Sequence, residues 1–472
     1  MSSFSGLNTA STALWGAQRG LDVTGQNIAN VNTAGYSRQR VDLAAMGGTA
    51  VPAVHSVSTA VDGGVDASKV RRVRDALLEA RAQLEVSTGS RLTAEAEALS
   101  GVEDAFREPG DSGIQAMLSD VWSAFSELSD SPRTEAARSA VLERLDVLAD
   151  GVRATRAALD QQWDQTRDGV QALVADVNTA AASVAELNGA IRQATLAGLP
   201  VNELADRRDA LVLQLSTSIG ATGVPRADGV VDVTVGGTSL VSGSTSTGIR
   251  LAGSDDADGV GTDAPRLVTA PGGTTLRPGG TAAGQLTALT QTVPGYRADL
   301  DAFARSVATT FNTAHTAGYD DDGNPGQPLF DDGAGGTAVT AANLTLRPLT
   351  PQQVAAARTK PADAGNAPSA DGDNADALAQ LSLAPNGLDA TYRKLVVALG
   401  VQAAVATRKV EVQSVVTAQV DAARESVSGV SLDEEMTNML SFQHAYSAAA
   451  RMVSAIDQAL DTLINRTGTV GR

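Results

Sequence analysis

Hydrophobic positions recur every seven residues at both ends of this chain. Near the start, Leu7, Leu14, Leu21 and Ile28 form one row, with Ala10, Ala17, Thr24 and Val31 between them. Together they make an a/d stripe, which predicts one amphipathic helix from about 5 to 32. Near the end, Met439, Tyr446, Val453 and Leu460 alternate in the same way with Phe442, Ala449, Ile456 and Leu463. Ser431 and Glu434 have the spacing of a capping box there, and Asp433, Glu434 and Glu435 suit the positive end of a helix dipole. Ala10 and Ala17 of the first stripe are small and Thr24 is polar, so it buries too little apolar surface to hold an isolated helix in water. Both ends are therefore predicted to pack on each other or on other subunits.

Between these ends the periodicity changes several times. Residues 36–66, with Gly47-Gly48, Pro52 and Gly63-Gly64, read as a loop with a short hairpin. Helical spacing runs from about 67 to 107 and stops at Glu108-Pro109-Gly110-Asp111. Ser112 and Gln115 restart a helix to about 129, and Ser131-Pro132 predicts the start of the next. That helix continues to about Ala197, on the order of 100 Å at ~1.5 Å per residue. Its apolar row is Leu145, Leu148, Val152 and Leu159, then, after a four-residue shift, Trp163, Thr166, Val170, Leu173, Val177, Val184, Leu187 and Ile191. Asn202 to Ile219 is predicted as a further helix.

After Gly220 the period falls to two, as in Val231-Asp232-Val233-Thr234-Val235, and residues 221–280 are predicted to form a separable β-rich outer module. Helix returns from about Gln285 to Ala317, interrupted near Pro294-Gly295. Residues 318–375 read as loop and short strand around Leu344 and Leu346, and helical spacing resumes from 375 to 426 except at Pro385-Asn386-Gly387. The fold class is mainly α with β insertions (α+β). Its expected organisation is a terminal helical coiled-coil domain from 1–60 and 425–472, a helical bundle from 61–220 and 281–424, and a β-rich outer domain at 221–280.

Composition narrows the function. Hydrophobic residues make up 43 % but aromatics only 3 %, so a core built from Ala, Leu and Val is expected. Lys+Arg 36 against Asp+Glu 54 leaves a net charge of −18, which argues against binding nucleic acid or an anionic membrane. With no cysteine, thiolate metal sites, disulfides and a thiol nucleophile are excluded. His55, His315 and His444 stand far apart, and no metalloprotease, phosphate-loop or serine-hydrolase motif accompanies them. In the acidic run after Tyr319, Asp320, Asp322 and Asn324 have calcium-loop spacing. Pro325 stands where such a loop needs glycine and Asp331 where it needs glutamate, so a solvated turn is the better reading. No enzyme activity, cofactor or metal is expected. The N-terminus carries neither a basic segment nor an apolar run, so no cleaved secretory signal is expected.

The two ends also carry recognisable motifs. Ser5-Gly6-Leu7-Asn8-Thr9-Ala10 and Asn27-Ile28-Ala29-Asn30-Val31-Asn32-Thr33-Ala34-Gly35-Tyr36 resemble the N-terminal signature of flagellar axial proteins, the rod, hook and hook-associated family. Tyr36-Ser37-Arg38-Gln39 narrows the resemblance to the hook-associated protein 1 family, the first hook–filament junction proteins. Glu108 to Ile114, Asn202-Glu203-Leu204-Ala205-Asp206-Arg207-Arg208-Asp209, Ser428 to Glu435, and Gln443-His444-Ala445-Tyr446 are similar to further segments of that family. The resemblance covers the chain except 221–280 and about 320–370.

It implies a structural, non-enzymatic junction between hook and filament, exported unfolded through the flagellar secretion channel and so extracellular. The implied partners are the hook protein, the second junction protein, neighbouring copies of the same chain and, before secretion, an export chaperone at the C-terminal helix. The implied subunit-interface residues are Leu7, Leu14, Leu21, Asn27, Ile28, Asn30, Val31, Met439, Phe442, Tyr446, Val453, Ile456, Leu460 and Leu463. The alternatives are a flagellar rod or hook protein and, in another class, a secreted adhesin or enzyme using 221–280 as its binding module.

Overall fold

A computed structural model describes residues 3–46, 63–333, 338–361, 369–462 and 464. Gly47-Gly48, Pro52, His55 and Leu463 lie outside the described residues. The chain is mainly helical with small antiparallel sheets.

Helix α1 spans Ser3–Ala29, and α10, Leu432–Asp461, packs along it. The two run antiparallel: Gly6 lies against Ile456, Gly20 against the Phe442 ring, and Asn27 against Glu435. A Cβ on Gly20 would stand 2.5 Å from that ring, so glycine is what lets the two helices approach here. A hairpin of β1 (Gln39–Ala45) and β2 (Val65–Arg72) covers one side of α1. Residues 67–72, expected as the start of a helix, are thus strand: Val70 pairs with Val41. Helix α2 begins only at Ala76 and runs to Phe106, because the Asp75 side chain accepts from the Leu77 and Leu78 amides and caps it there.

The bundle is built on α4, Glu135–Leu196, whose 62 residues make a rod of about 93 Å. It starts after Thr134 rather than at Ser131-Pro132; Ser131 instead closes α3, Ile114–Asp130. Nine of the twelve residues of its expected apolar row are buried, while Thr166, Leu173 and Leu187 are half-buried. Helix α5, Asn202–Ile219, has the bounds expected for it. Helices α6 (Gly280–Thr287) and α7 (Val293–Thr316) are joined by a π-helical turn, Ala288–Thr292. Pro294 has no amide to close that turn on the Leu289 carbonyl, and Trp163 Nε1 donates to this carbonyl instead, at 2.9 Å. Helices α8 (Asp373–Ala379) and α9 (Leu388–Ser428) complete the bundle, with α9 lying on α2.

The core follows the composition: most of its buried residues are Ala, Val and Leu. The few aromatics within it form two groups: Phe106, Tyr296, Phe303 and Tyr392 touch in one chain of rings, and Trp122, Phe125, Phe311 and Phe330 in another.

Segment 221–280 forms strands as expected. A four-stranded sheet joins β3 (Thr222–Pro225), β4 (Val231–Val235), β5 (Thr238–Ser242) and β6 (Thr245–Ser246); β7 (Ile249–Ala252) pairs with β8 (Arg266–Thr269). Val231, Val233 and Val235 point inward, and their hydrophobic cluster is continuous with that of α4. Asn188 and Asn178 of α4 each make a reciprocal pair of hydrogen bonds with strand backbone, at Val231 and Gly243 and at Ile249. The segment leaves and returns at one neck, where the Gly279 amide donates to the Ile219 carbonyl. Its buried face is therefore closed by α4 rather than by a core of its own. Short strands β9 (Phe330–Asp331) and β10 (Thr345–Leu346) pair beside the bundle.

Candidate assembly interface

The terminal pair has a thin interior. On α1 the buried side chains are Ala10, Ala17, Val23, Thr24 and Asn27; on α10 they are Glu435 and Ala449. The large seam residues Leu7, Leu14, Leu21, Ile28, Met439, Phe442, Val453, Ile456 and Leu460 are half-buried, as are Asn30 and Val31 past the helix end. Tyr446 is exposed. Small residues occupy the closest positions and large ones splay outward, so apolar edges remain along both helices. Trp15 on α1, and Leu432, Met436, Leu440 and Met452 on α10, extend that exposed apolar surface. Two helices in contact cover only one side of each other, which is why the stripe stays open.

Where this pair meets the bundle, three motifs from distant parts of the sequence lock together. Asn27 is buried, and its Nδ2 donates to the Gln39 carbonyl (2.9 Å) and to Glu435 Oε2 (3.0 Å). Its Oδ1 accepts from Tyr36 Oη (2.8 Å) and the Gln39 amide (3.0 Å), so both ends of the carboxamide are used. Arg38 spans to α10, donating through Nε to Glu435 (2.8 Å) and through Nη1 to Glu434 (2.7 Å). The Glu435 carboxylate, 2 % exposed, is thus paired and hydrogen-bonded, which its burial requires.

The middle motif closes the other side. Ser37 donates through its amide and hydroxyl to Asp206, and Arg72 donates to both Asp206 (2.9 Å) and Asp209 (2.8 Å). Arg74 links Asp209 to Glu79, which Arg424 of α9 also holds. Asn202 Nδ2 donates to Gln39 Oε1 and the Val70 carbonyl. Burial, reinforced by Asp206, Glu435 and Glu203, pushes the Tyr36 hydroxyl up to about 12, so it stays protonated and keeps donating to Asn27. Burial alone would raise Asp209, but Arg208, Arg72 and Arg74 hold it below the usual carboxylate range.

Of the expected interface residues, the structure brings Asn27 into this clasp. Asn30 instead finishes α1, donating to the Gln26 carbonyl and accepting from Thr33 Oγ1. Sequence reasoning missed Arg38, Ser37, Glu435, Asp206 and Asp209 as contacts, although each lies inside a motif that drew attention. Ser431 does occupy the N-cap of α10, but the capping box does not form: its side chain makes no cap bond, and Glu434 turns to Arg38.

The other polar candidates are engaged within the fold. Asp320 accepts from the Asn324 amide, and Asp321 from buried Arg138, which tie the acidic turn to itself and to α4. His315 Nε2 accepts from the Ala355 amide at 2.8 Å, so Nδ1 carries the proton and donates to the Gln327 carbonyl. Burial pushes its pKa down to about 4. Among the described residues, no helix is long and apolar enough to cross a membrane.

Similarity to known proteins follows this division. The flagellar hook-associated protein FlgK helical-domain model matches residues 99–330. A flagella basal body rod protein model matches 7–36, and the flagellar basal body rod FlgEFG protein C-terminal model matches 424–466. The chain is 31 % identical to flagellar hook-associated protein 1 of Bacillus subtilis over 100 % of both chains. It is 26 % identical to flagellar hook-associated protein 1 of Escherichia coli, over 97 % of this chain and 99 % of that one. The structure of the flagellar hook junction protein FlgK from Burkholderia pseudomallei matches with a TM-score of 0.62. That match covers 74 % of this chain and 100 % of the other at 17 % identity, a likeness of fold.

Proposed function

We propose, from the premise that this chain belongs to the flagellar hook-associated protein 1 family, that it joins hook to filament as a structural component of the bacterial flagellum. It is not an enzyme. The observation that carries the reading is the contrast between a bundle that completes its own core and a terminal helix pair whose large seam residues stay half-buried. A helix pair built this way gains its remaining burial from neighbours.

In this reading α1 and α10 form a coiled-coil terminal domain, 1–60 with 425–472. Leu7, Leu14, Leu21, Ile28, Val31, Met439, Phe442, Tyr446, Val453, Ile456 and Leu460 face hook protein, the second junction protein and neighbouring copies. Asn27 and Asn30 hold the geometry from which that contact starts. The bundle, 61–220 with 281–424, sets the spacing between subunits, and 221–280 lies outermost. The chain reaches the cell exterior through the flagellar export channel, escorted by a chaperone on its C-terminal helix. The match of both ends to rod-protein models is what keeps a rod or hook role as the second reading; the hook-associated helical domain at 99–330 favours the junction.

The test is a deletion strain of the source bacterium. Hooks without filaments, with flagellin released to the medium and growth restored by this chain, support the junction. Loss of the hook itself would point to the rod or hook reading, and normal filaments would overturn both.

A further inference from the structure

We propose that the outward face of α9 from Arg393 to Val415 docks on the acidic outer edge of α4 in a second copy of this chain. The proposal rests on the reading of this protein as one that assembles with itself, and adds a contact in the bundle, away from the terminal seams. On α9, Val397, Val401, Val405, Val412 and Val415 share one face with Arg408, opposite the residues buried against α2 and α7. These valines are exposed, Val401 by 58 %, Val412 by 62 % and Val415 by 64 %. Valine is a poor helix former, so a run of it on a solvated helix face costs stability that a partner would repay.

Charge selects the partner. The face from Arg393 to Val415 carries Arg393, Lys394, Arg408 and Lys409 against one acidic residue, Glu411, in a chain of net charge −18. Among the described residues none of these four has an ion-pair partner. Copies of so acidic a chain repel one another unless a local basic face meets a local acidic one. Helix α4 offers that counterpart. Gln161, Asp164, Asp168 and Gln171 follow one another on a single exposed face, flanked by exposed Ala157 and Ala175, and neither aspartate is paired within the chain.

The two faces also stand at one height. Tyr296 on α7 donates to Gln402 of α9 at 3.1 Å, and the next residue, Arg297, pairs with Asp160 of α4 at 2.6 Å. Helices α9 and α4 both pack on α2, α3 and α7, and α4 also packs on α5 and α6, so α2, α3 and α7 stand between the two faces and place them on different flanks. A surface on one flank that fits a different surface on another is a heterologous contact, which propagates from copy to copy around an axis.

The chain contains no cysteine, which makes cross-linking clean. Val405→Cys and Asp164→Cys are introduced together into the full chain, and flagella of the complemented deletion strain are treated with a bismaleimide. Val412→Cys with Asp168→Cys serves as a second pair should the first not be exported. The expected result is a species of twice the chain mass and its multiples in assembled flagella, from the paired variant and from neither single one. Adding Arg408→Asp should lower the cross-linked fraction by about tenfold. Filaments without any doubled species would overturn this docking while leaving the junction role intact. Doubled species from a single variant would show that the face meets itself or another surface, which overturns it too. Failure of the junction reading would appear separately, as filaments that grow when the chain is absent.

Discussion

The bundle and the terminal pair are built from the same amino acids to opposite ends. In the bundle, Trp163, Phe125, Phe303, Phe311 and Tyr392 are all below 2 % exposure. Helix α4 satisfies even its buried asparagine, Asn188, three times over. In the terminal pair the buried side chains are alanine, valine, threonine, asparagine and one paired glutamate, Glu435, and every large seam residue among the described ones keeps a wet side. A side chain contributes to stability by the area it removes from water. The bundle therefore carries the stability of the monomer, while the pair holds apolar area in reserve for assembly.

That contrast can be broken by measurement, and the largest effect belongs to the bundle. Trp163→Ala removes a fully buried indole and its bond to Leu289, and should cost about 3–5 kcal/mol in chemical denaturation. A loss under about 1 kcal/mol would mean that Trp163 does not anchor the bundle around α4.

Acid should act next. His315 has its pKa depressed to about 4 from an ordinary value near 6.5, so its neutral form is the folded one. The stability it contributes is present above pH 6.5 and is lost as pH falls toward 4, up to about 3 kcal/mol at ~1.4 kcal/mol per unit. Comparing wild type with His315→Gln by thermal melts from pH 7 to 4 checks it: the two curves should converge as the pH drops.

A smaller effect is expected at the clasp. Asn27→Ala leaves Glu435 and the Gln39 backbone short of partners, worth about 1–3 kcal/mol, but only locally. Amide exchange should quicken in 22–45 and 430–440 while α4 is unchanged. The smallest effect on melting belongs to Val453→Asp with Leu460→Asp. Both sites are already half-wet, so the midpoint should hold within ~0.5 kcal/mol while filament growth on hooks stops. A midpoint that falls as far as it does for Trp163→Ala would make the two regions one cooperative unit and erase the distinction.

The same contrast explains what could be read from the chain. Helices with long regular stripes were legible: α1, α4 and α5 follow their spacing closely, and α5 begins and ends where a turn and Gly220 dictate. What failed was local signal overridden by partners. Val70 and Val73 fit a helical spacing, yet β1 captures residues 65–72 as a strand. Ser131-Pro132 looks like a helix start, but Ser131 ends α3. The seam residues were legible from their heptads. The clasp was not, because its bonded partners meet only through the fold: Asn27 and Glu435 lie 408 positions apart, Arg38 and Glu435 397, and Ser37 and Asp206 169. Glu435 in particular suited a helix dipole on the sequence and proved to be a buried ion-pair partner.

The way both ends enter the body has a mechanical consequence. Helix α1 passes into β1, and α9 passes into α10 across Gly429-Val430-Ser431, within reach of one clasp. A pull on the terminal rod is therefore divided between two strands of chain that leave the body side by side. The Arg38–Glu435 and Ser37–Asp206 contacts are then loaded together instead of being peeled one after another. Torque applied to that rod reaches the bundle through two parallel tethers, so the joint resists twisting about its own axis in a way that a single connecting segment could not.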